Sequence, residues 1–395
     1  MLILNGKCLR WSFGLEKTGL PKKNCLTGVY EMDLPIKEHL KKVIRFKNSA
    51  EKRLKYLRLD KNEAAPLFSK EFVNALREEI TPDFLTAYPE VAGLQEKIAE
   101  SLKCNSDNIY VTAGSDAGIK SAFEVFVEKG DRVVLLDPTY AMFYVYADIF
   151  EAELQKVSYT CDLSLSAESV IATIKEFKPK LVCIANPNSP TGTVLPSEGI
   201  KKIAQCSFEN KSVLLIDEAY YPFYPVTALG LIKEFPNIIV TRTFSKAMAL
   251  ASARLGYVAG GDEIIEALHK VRPMYETNAF AVKFAELILD NPEVLEKNLQ
   301  EVKAAKKYVE TELTEMGVSY FESHANFMLL DVGSYEKSVE IGKAMKERKI
   351  LIKAGFTDEN LKNCIRISVG TCDDMRRFID NFKQVIISTQ CNYKS

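Results

Sequence analysis

The run Ile238-Ile239-Val240-Thr241-Arg242-Thr243-Phe244-Ser245-Lys246, followed by Ala247-Met248-Ala249-Leu250 and then Arg254, decides how the rest of the chain is read. Its first three residues have the continuous apolar character of a buried β-strand. Hydroxyl side chains then lead into a single lysine. An isolated lysine after a strand is ordinarily a solvated loop residue. The alternative is a Schiff-base lysine, whose amine must sit in a desolvated pocket to be partly neutral and nucleophilic. Local sequence does not separate the two. What separates them is whether other strand ends supply an acid, an anion cup and an aromatic ring.

At 395 residues the chain is long enough for two domains or one large α/β domain. Its 47% hydrophobic and 27% charged residues are ordinary for a folded soluble protein, so disorder is not expected. A formal net charge of −1 argues against nucleic acid or an anionic membrane as the main partner. Nine Cys occur without a CxxC pair, and Cys183 and Cys206 lie in or beside apolar segments. Reduced thiols in a cytoplasmic protein fit this better than a disulfide framework. His39, His269 and His324 are the only histidines and none is near a Cys pair, so no metal site is expected. The opening residues lack the layout of a secretion signal, and no uncharged apolar run is long enough to cross a bilayer.

Residues 1–55 read as an N-terminal extension with a basic segment, Lys41-Lys42-Val43-Ile44-Arg45-Phe46-Lys47. Without an overall basic excess, a solvated helix face is the better reading than a nucleic-acid arm. From Leu57 the pattern becomes that of a compact enzyme. Ser69 predicts the N-cap of a helix through Arg77. Ala87-Tyr88-Pro89-Glu90 is a turn, and Leu94, Ile98 and Leu102 share one face of the helix after it. Ile109-Tyr110-Val111, Arg132–Leu136, Leu181–Ala185, Val213–Ile216, Ile238–Val240 and Gly256–Gly260 read as strands, with a helix from Ile119 to Val127. Fully apolar strands alternating with helices imply an α/β fold around a mostly parallel sheet covered on both faces. After about residue 275, a helical region broken near Pro292 precedes two strands, Phe327–Leu330 and Ile365–Val369, of a smaller α+β domain. The expected organisation is a large domain over residues 86–275 and a smaller one from residues 56–85 and 276–395.

In mostly parallel sheets, ligands bind beyond the carboxyl ends of the strands. There Gly114, Ser115 and Asp116 open a helix whose free N–H groups form an anion cup. By themselves they would be an ordinary N-cap. Tyr140 follows Asp137-Pro138-Thr139 and can stack on a flat ring. Asn186-Pro187-Asn188-Ser189-Pro190-Thr191-Gly192 forces a rigid turn whose polar side chains sit where a ligand hydroxyl could be held. Asp217 follows a fully apolar strand, is costly to bury unpaired, and would pair with a protonated ring nitrogen. Tyr220 can offer a phenol to the same ring. Thr243, Ser245, Lys246 and Arg254 add hydroxyls and two cations. In this order along the strands, these are the parts pyridoxal phosphate requires. The phosphate takes the helix terminus and Arg254, the ring takes Tyr140, the nitrogen takes Asp217 and the aldehyde takes Lys246.

From about residue 55 to 390 the chain resembles the fold-type I aminotransferases, and most closely the histidinol-phosphate aminotransferase family. The matching stretches are Ala87–Glu90, Thr112–Asp116, Asp137–Tyr140, Pro187–Gly192, Asp217–Tyr220, Arg242–Lys246 with Arg254, Ala325-Asn326-Phe327 and Arg366–Thr371. The resemblance implies a large cofactor domain, a small domain made of both chain ends, and a homodimer with sites at the subunit interface. It implies that Tyr88 reaches the cofactor phosphate of the neighbouring subunit and that Tyr220 contacts the ring hydroxyl. It also implies that Arg366 holds a substrate carboxylate. Arg366 and Arg377 are the candidates for a substrate phosphate, and Asn326 belongs to the same substrate group. The family usually places Asn directly before Pro-Thr-Gly. Here Ser189 stands there and Asn188 one earlier, so either could serve the ring hydroxyl. The family's short entry arm has no counterpart to the first fifty or so residues.

The expected activity is transamination of a phosphorylated amine, a phosphorylated amino acid or an amino acid, with a keto acid as partner. Lys246 would shuttle the proton and Asp217 would stabilise the protonated ring. The rival is decarboxylation of a phosphorylated amino acid such as threonine or serine phosphate, since close relatives of that kind keep the same cofactor residues. A third reading is a ligand-responsive regulator, and it lacks the expected helix-turn-helix.

Overall fold

The computed structural model describes residues 34–45, 52–65 and 68–392. The chain divides into two units, Met1–Lys42 and Val43–Ser395. The described part of the first holds a short 3-10 turn, Glu38–Lys42, closed by a Lys41–Glu38 ion pair at 2.5 Å. Most of the expected N-terminal extension, Phe46 and Lys47 of its basic segment included, lies outside the described residues.

Twelve described strands run in chain order: β1 (Leu57–Leu59), β2 (Ile109–Thr112), β3 (Arg132–Asp137), β4 (Glu153–Ser158), β5 (Leu181–Ala185) and β6 (Val213–Asp217), then β7 (Ile238–Thr243), β8 (Gly256–Gly260), β9 (Ser319–Tyr320), β10 (Phe327–Asp331), β11 (Ile350–Ile352) and β12 (Cys364–Ser368). Seven form one sheet in the order β2-β8-β7-β6-β5-β3-β4. Its pairings are parallel except those of β8, which runs antiparallel to both β2 and β7.

Alternate residues of these strands feed opposite faces, as the pleat requires. Val134, Val182, Leu214 and Val240 pack under the helices Ala167–Phe177 and Ser197–Glu209. Val133, Cys183, Leu215 and Ile239 pack under Ser115–Phe126, Ala141–Ile149 and Asp262–Val271. A sheet covered on both faces is why its inner strands read as unbroken apolar runs. Edge strand β4 went unread because only Val157 of its six residues is buried.

β10 pairs antiparallel with β12 and β9, and β1 pairs parallel with β11. Leu59 of β1 joins Val302, Val309, Met328, Ile367 and Phe378 in one core, so residues near the start of this unit pack with residues near its end. The helices Ala279–Asp290 and Pro292–Glu315 break at Asn291, where the proline was expected to end the run. Ser69 caps Lys70–Glu78 by accepting from the Phe72 N–H at 3.1 Å. Among the described residues no helix is long and apolar enough to cross a membrane.

Candidate active site

β2, β7 and the start of β8 bring the pieces of an anion cup together. Thr112 and Thr243 both pair with Gly256. The turn after β2 therefore lies next to the loop after β7 and to Arg254, which precedes β8. A Cβ on Gly256 would stand 2.4 Å from the Ser115 nitrogen and 2.7 Å from the Arg242 oxygen, so only glycine allows this approach. The helix after β2 starts at Ser115, where the anion-cup reading puts it, and Gly114 takes φ 86° as its N-cap. A side chain at Gly114 would come within 2.8 Å of the Arg254 guanidinium. That guanidinium donates to Ser245 Oγ at 3.1 Å. Thr243 Oγ1 accepts from the Ser245 N–H at 3.1 Å. Gly114, Ser115 and Asp116 at a helix N-terminus, with Thr243, Ser245 and Arg254 beside them, are what a phosphate dianion needs.

Asp217 ends β6 rather than following it, and β7 runs on through Thr243. Thr241, paired with Asp217 in the ladder, donates to its Oδ1 at 2.8 Å. Only 4% of Asp217 is exposed. Burial pushes its carboxyl up to about 7, and nearby Asp116 adds to this against the Thr241 hydrogen bond. A cationic ring nitrogen would relieve that cost. Tyr140 reaches Asp116 Oδ1 at 3.4 Å, and its phenol pKa is raised by burial and by the charges of Asp116 and Asp217. The next acid, Glu218, has a different task. It is spent on a buried ion pair with Arg242 at 2.7 Å, and Thr227 and the Ala228 N–H complete it.

Lys246 lies over the Tyr220 ring, with Nζ 5.8 Å from the centroid. Its amine donates to the carbonyls of Lys61 and Asn62, each at 3.1 Å. Burial lowers its pKa, with Arg366 and Arg254 pulling the same way against Tyr220 and Glu63. Lys246 is half-buried, and its amine is held by two backbone carbonyls where a loop lysine would be solvated.

Asn62 was not singled out in the sequence, and it is the hub of this region. Its Nδ2 donates to Tyr220 Oη at 2.8 Å, its N–H to Ser368 Oγ at 2.8 Å, and its carbonyl accepts from Asn326 Nδ2 at 3.2 Å. Its φ of 55° lies in the left-handed region that Asn tolerates better than most residues. An Asn just after a short strand was the available signal.

Arg366 Nη2 donates to the Asp60 carbonyl at 3.1 Å, while its buried Nε finds no partner. Asn326 Oδ1 is likewise buried and unpaired. Two orphaned polar groups around Asn62 and Lys246 are costly unless a ligand meets them. Arg377 is not brought into this cluster. It is exposed on the helix Cys372–Asn392 and lines a cavity of about 270 Å³ with Arg58, Glu63 and Asp374.

Asn188 is fully buried and bonded within the turn: Nδ2 donates to the Pro138 carbonyl and Thr191 Oγ1, and Oδ1 accepts from Thr139. With both donors committed it locks the loop, and Ser189 beside it is half-buried. Tyr88 is 69% exposed and lies flat on Tyr275, with centroids 3.9 Å apart. Among the described residues no three His, Cys, Asp or Glu side chains gather as metal ligands would.

Residues 56–382 match the family model described as aminotransferase class I and II. The histidinol-phosphate aminotransferase 1 of Carboxydothermus hydrogenoformans is 32% identical over 332 residues, spanning 84% of this chain and 93% of that protein. The histidinol-phosphate aminotransferase of Clostridium novyi is 32% identical over 319 residues, or 80% of this chain and 87% of its own. The crystal structure of histidinol-phosphate aminotransferase from Sinorhizobium meliloti in complex with pyridoxal-5'-phosphate superposes with a TM-score of 0.81 at 25% identity, covering 91% of this chain and 99% of that one. Anion cup, desolvated acid and half-buried lysine fit the cofactor, and the fold and site together define a pyridoxal-phosphate-dependent transferase. The chain belongs to the class I and II aminotransferase family, with its resemblance to the histidinol-phosphate aminotransferases running over most of its length.

Proposed function

We propose that this aminotransferase takes an anionic amino donor of the histidinol-phosphate kind and returns the amine to a keto acid. The observation that carries this substrate class is half-buried Arg366, whose buried Nε is unpaired, beside the Asn62–Lys246 cluster. Arg presents a flat fork that suits carboxylate or phosphate oxygens.

Pyridoxal phosphate, when bound, supplies an aldehyde carbon that condenses with amines and a ring that withdraws electrons from the substrate Cα. Lys246 would hold the aldehyde carbon through its amine and, when free, would take the proton from the substrate Cα; its lowered pKa keeps the amine available as a base. Asp217 holds the ring nitrogen protonated, and Thr241 fixes the carboxylate. Tyr220, oriented by Asn62, donates to the ring hydroxyl. Tyr140 would cover one ring face. Arg254, Ser115, Thr243 and Ser245 hold the phosphate, and Arg366 with Asn326 orients the substrate anion.

We infer further that the protein works as a cytoplasmic homodimer. Tyr88, Met274, Tyr275 and Phe280 form an exposed apolar surface of the kind a second copy would cover. Across that contact Tyr88 would reach the partner's phosphate cup.

The test is acceptor dependence. Purified protein with histidinol phosphate should turn over only when 2-oxoglutarate or another keto acid is present. Carbon dioxide release from a phosphorylated amino acid without an acceptor would replace this reading with decarboxylation.

A further inference from the structure

Glu276 lies between the helices Asp262–Val271 and Ala279–Asp290. The two residues before it, Met274 and Tyr275, are exposed, and Tyr275 is the ring stacked on Tyr88. Glu276 instead meets the large sheet. Its Oε1 accepts from the Ala113 N–H at 3.0 Å, and its Oε2 accepts from the Tyr110 hydroxyl. Tyr110 is a buried residue of β2, so one carboxylate oxygen is anchored in the sheet. Ala113 lies between β2 and Gly114, the residue that opens the phosphate cup. The direction of the cup's N–H groups depends on this turn. A carboxylate bond to a backbone N–H is about twice as strong as a neutral one.

We propose that Glu276 is a positioning residue that couples the Tyr88–Tyr275 surface to the phosphate cup, so that covering this surface with a second copy of the chain tightens cofactor binding. The inference rests on the cofactor and subunit readings above. A partner that fixes Tyr275 fixes the adjoining Glu276, and Glu276 fixes Ala113. Because coupling is reciprocal, cofactor tightens the subunit contact by the same factor.

The experiment titrates apoprotein with pyridoxal phosphate at protein concentrations spanning subunit dissociation, with mass followed by light scattering and amide deuterium exchange read at Ala113. Tyr275→Ala weakens the contact if the wild type never separates. Cofactor Kd is expected to fall about fivefold or more as the dimer forms. Glu276→Ala should lose part of this dependence, the remainder coming from Tyr88 directly, bind cofactor about tenfold more weakly and exchange Ala113 faster. Glu276→Gln, whose amide oxygen still accepts from Ala113, should recover part of each effect and covers the case in which the alanine variant fails to fold. A Kd independent of assembly, or an unchanged Kd and Ala113 protection in Glu276→Ala, overturns the coupling. A wild type that stays monomeric overturns the subunit reading on which it rests, and a chain that takes up no cofactor overturns the cofactor reading; the coupling falls with either.

Discussion

Asn62 donates through Nδ2 to the Tyr220 hydroxyl at 2.8 Å, tying the turn after β1 to the loop after β6. The same residue receives the Lys246 amine on its carbonyl. Asn62→Ala would take away the Tyr220 bond and the Asn62 Oδ1 that accepts from Ser368 Oγ at 3.4 Å, keep the backbone N–H bond to Ser368, and force alanine into φ 55°. We expect a loss of about 2–3 kcal/mol in unfolding free energy and a kcat lower by about tenfold from the freed phenol. Urea melts and steady-state kinetics measure both.

Asp217 makes the apoprotein's stability depend on pH in a defined direction. Its folded value of about 7 lies above the ordinary 3.8. Between these values the folded chain keeps a proton that the unfolded chain has lost. This contribution is whole below about pH 4 and disappears as pH rises through 7. Relative to apo Asp217→Asn, the apo wild type should lose up to about 4 kcal/mol from pH 4 to pH 8. Chemical melts of both proteins across that range check the sign.

Arg366→Lys keeps the charge and loses the fork. The kcat/KM for a phosphorylated or carboxylate donor should fall about 10- to 100-fold, mostly through KM. An unchanged KM would remove Arg366 from the substrate anion.

Gly114→Ala places a Cβ 2.8 Å from the Arg254 guanidinium at a residue whose φ is 86°. Arg254 has to move off the cup. Cofactor affinity should fall about tenfold or more, while the strain costs roughly 1–2 kcal/mol of stability. Equilibrium dialysis with pyridoxal phosphate reads the first effect and thermal melts the second.

How far the sequence spoke depended on where each residue gets its partners. β5, β6 and β7 were legible because neighbours on both faces make them apolar throughout. The ends of β6 and β7 were read short, since Asp217 and Thr241 are polar yet pair within the ladder. The direction of β8 was hidden, because five buried residues look alike whichever way the strand runs. Lys246, Asp217 and Arg254 stood out through their order at strand ends. Asn62 did not, since its partners Tyr220, Lys246, Asn326 and Ser368 all come from distant parts of the chain. Asn188 illustrates the reverse: its place in the turn suggested a ligand contact, while Pro138, Thr139 and Thr191 occupy it.

The most direct test of the account is borohydride reduction of the holoprotein followed by digestion and peptide mass mapping. The account predicts one pyridoxyl-phosphate mass addition, on Lys246, and none in Lys246→Ala. The same addition on a different lysine, or an unlabelled Lys246 in protein that has bound the cofactor, would contradict it.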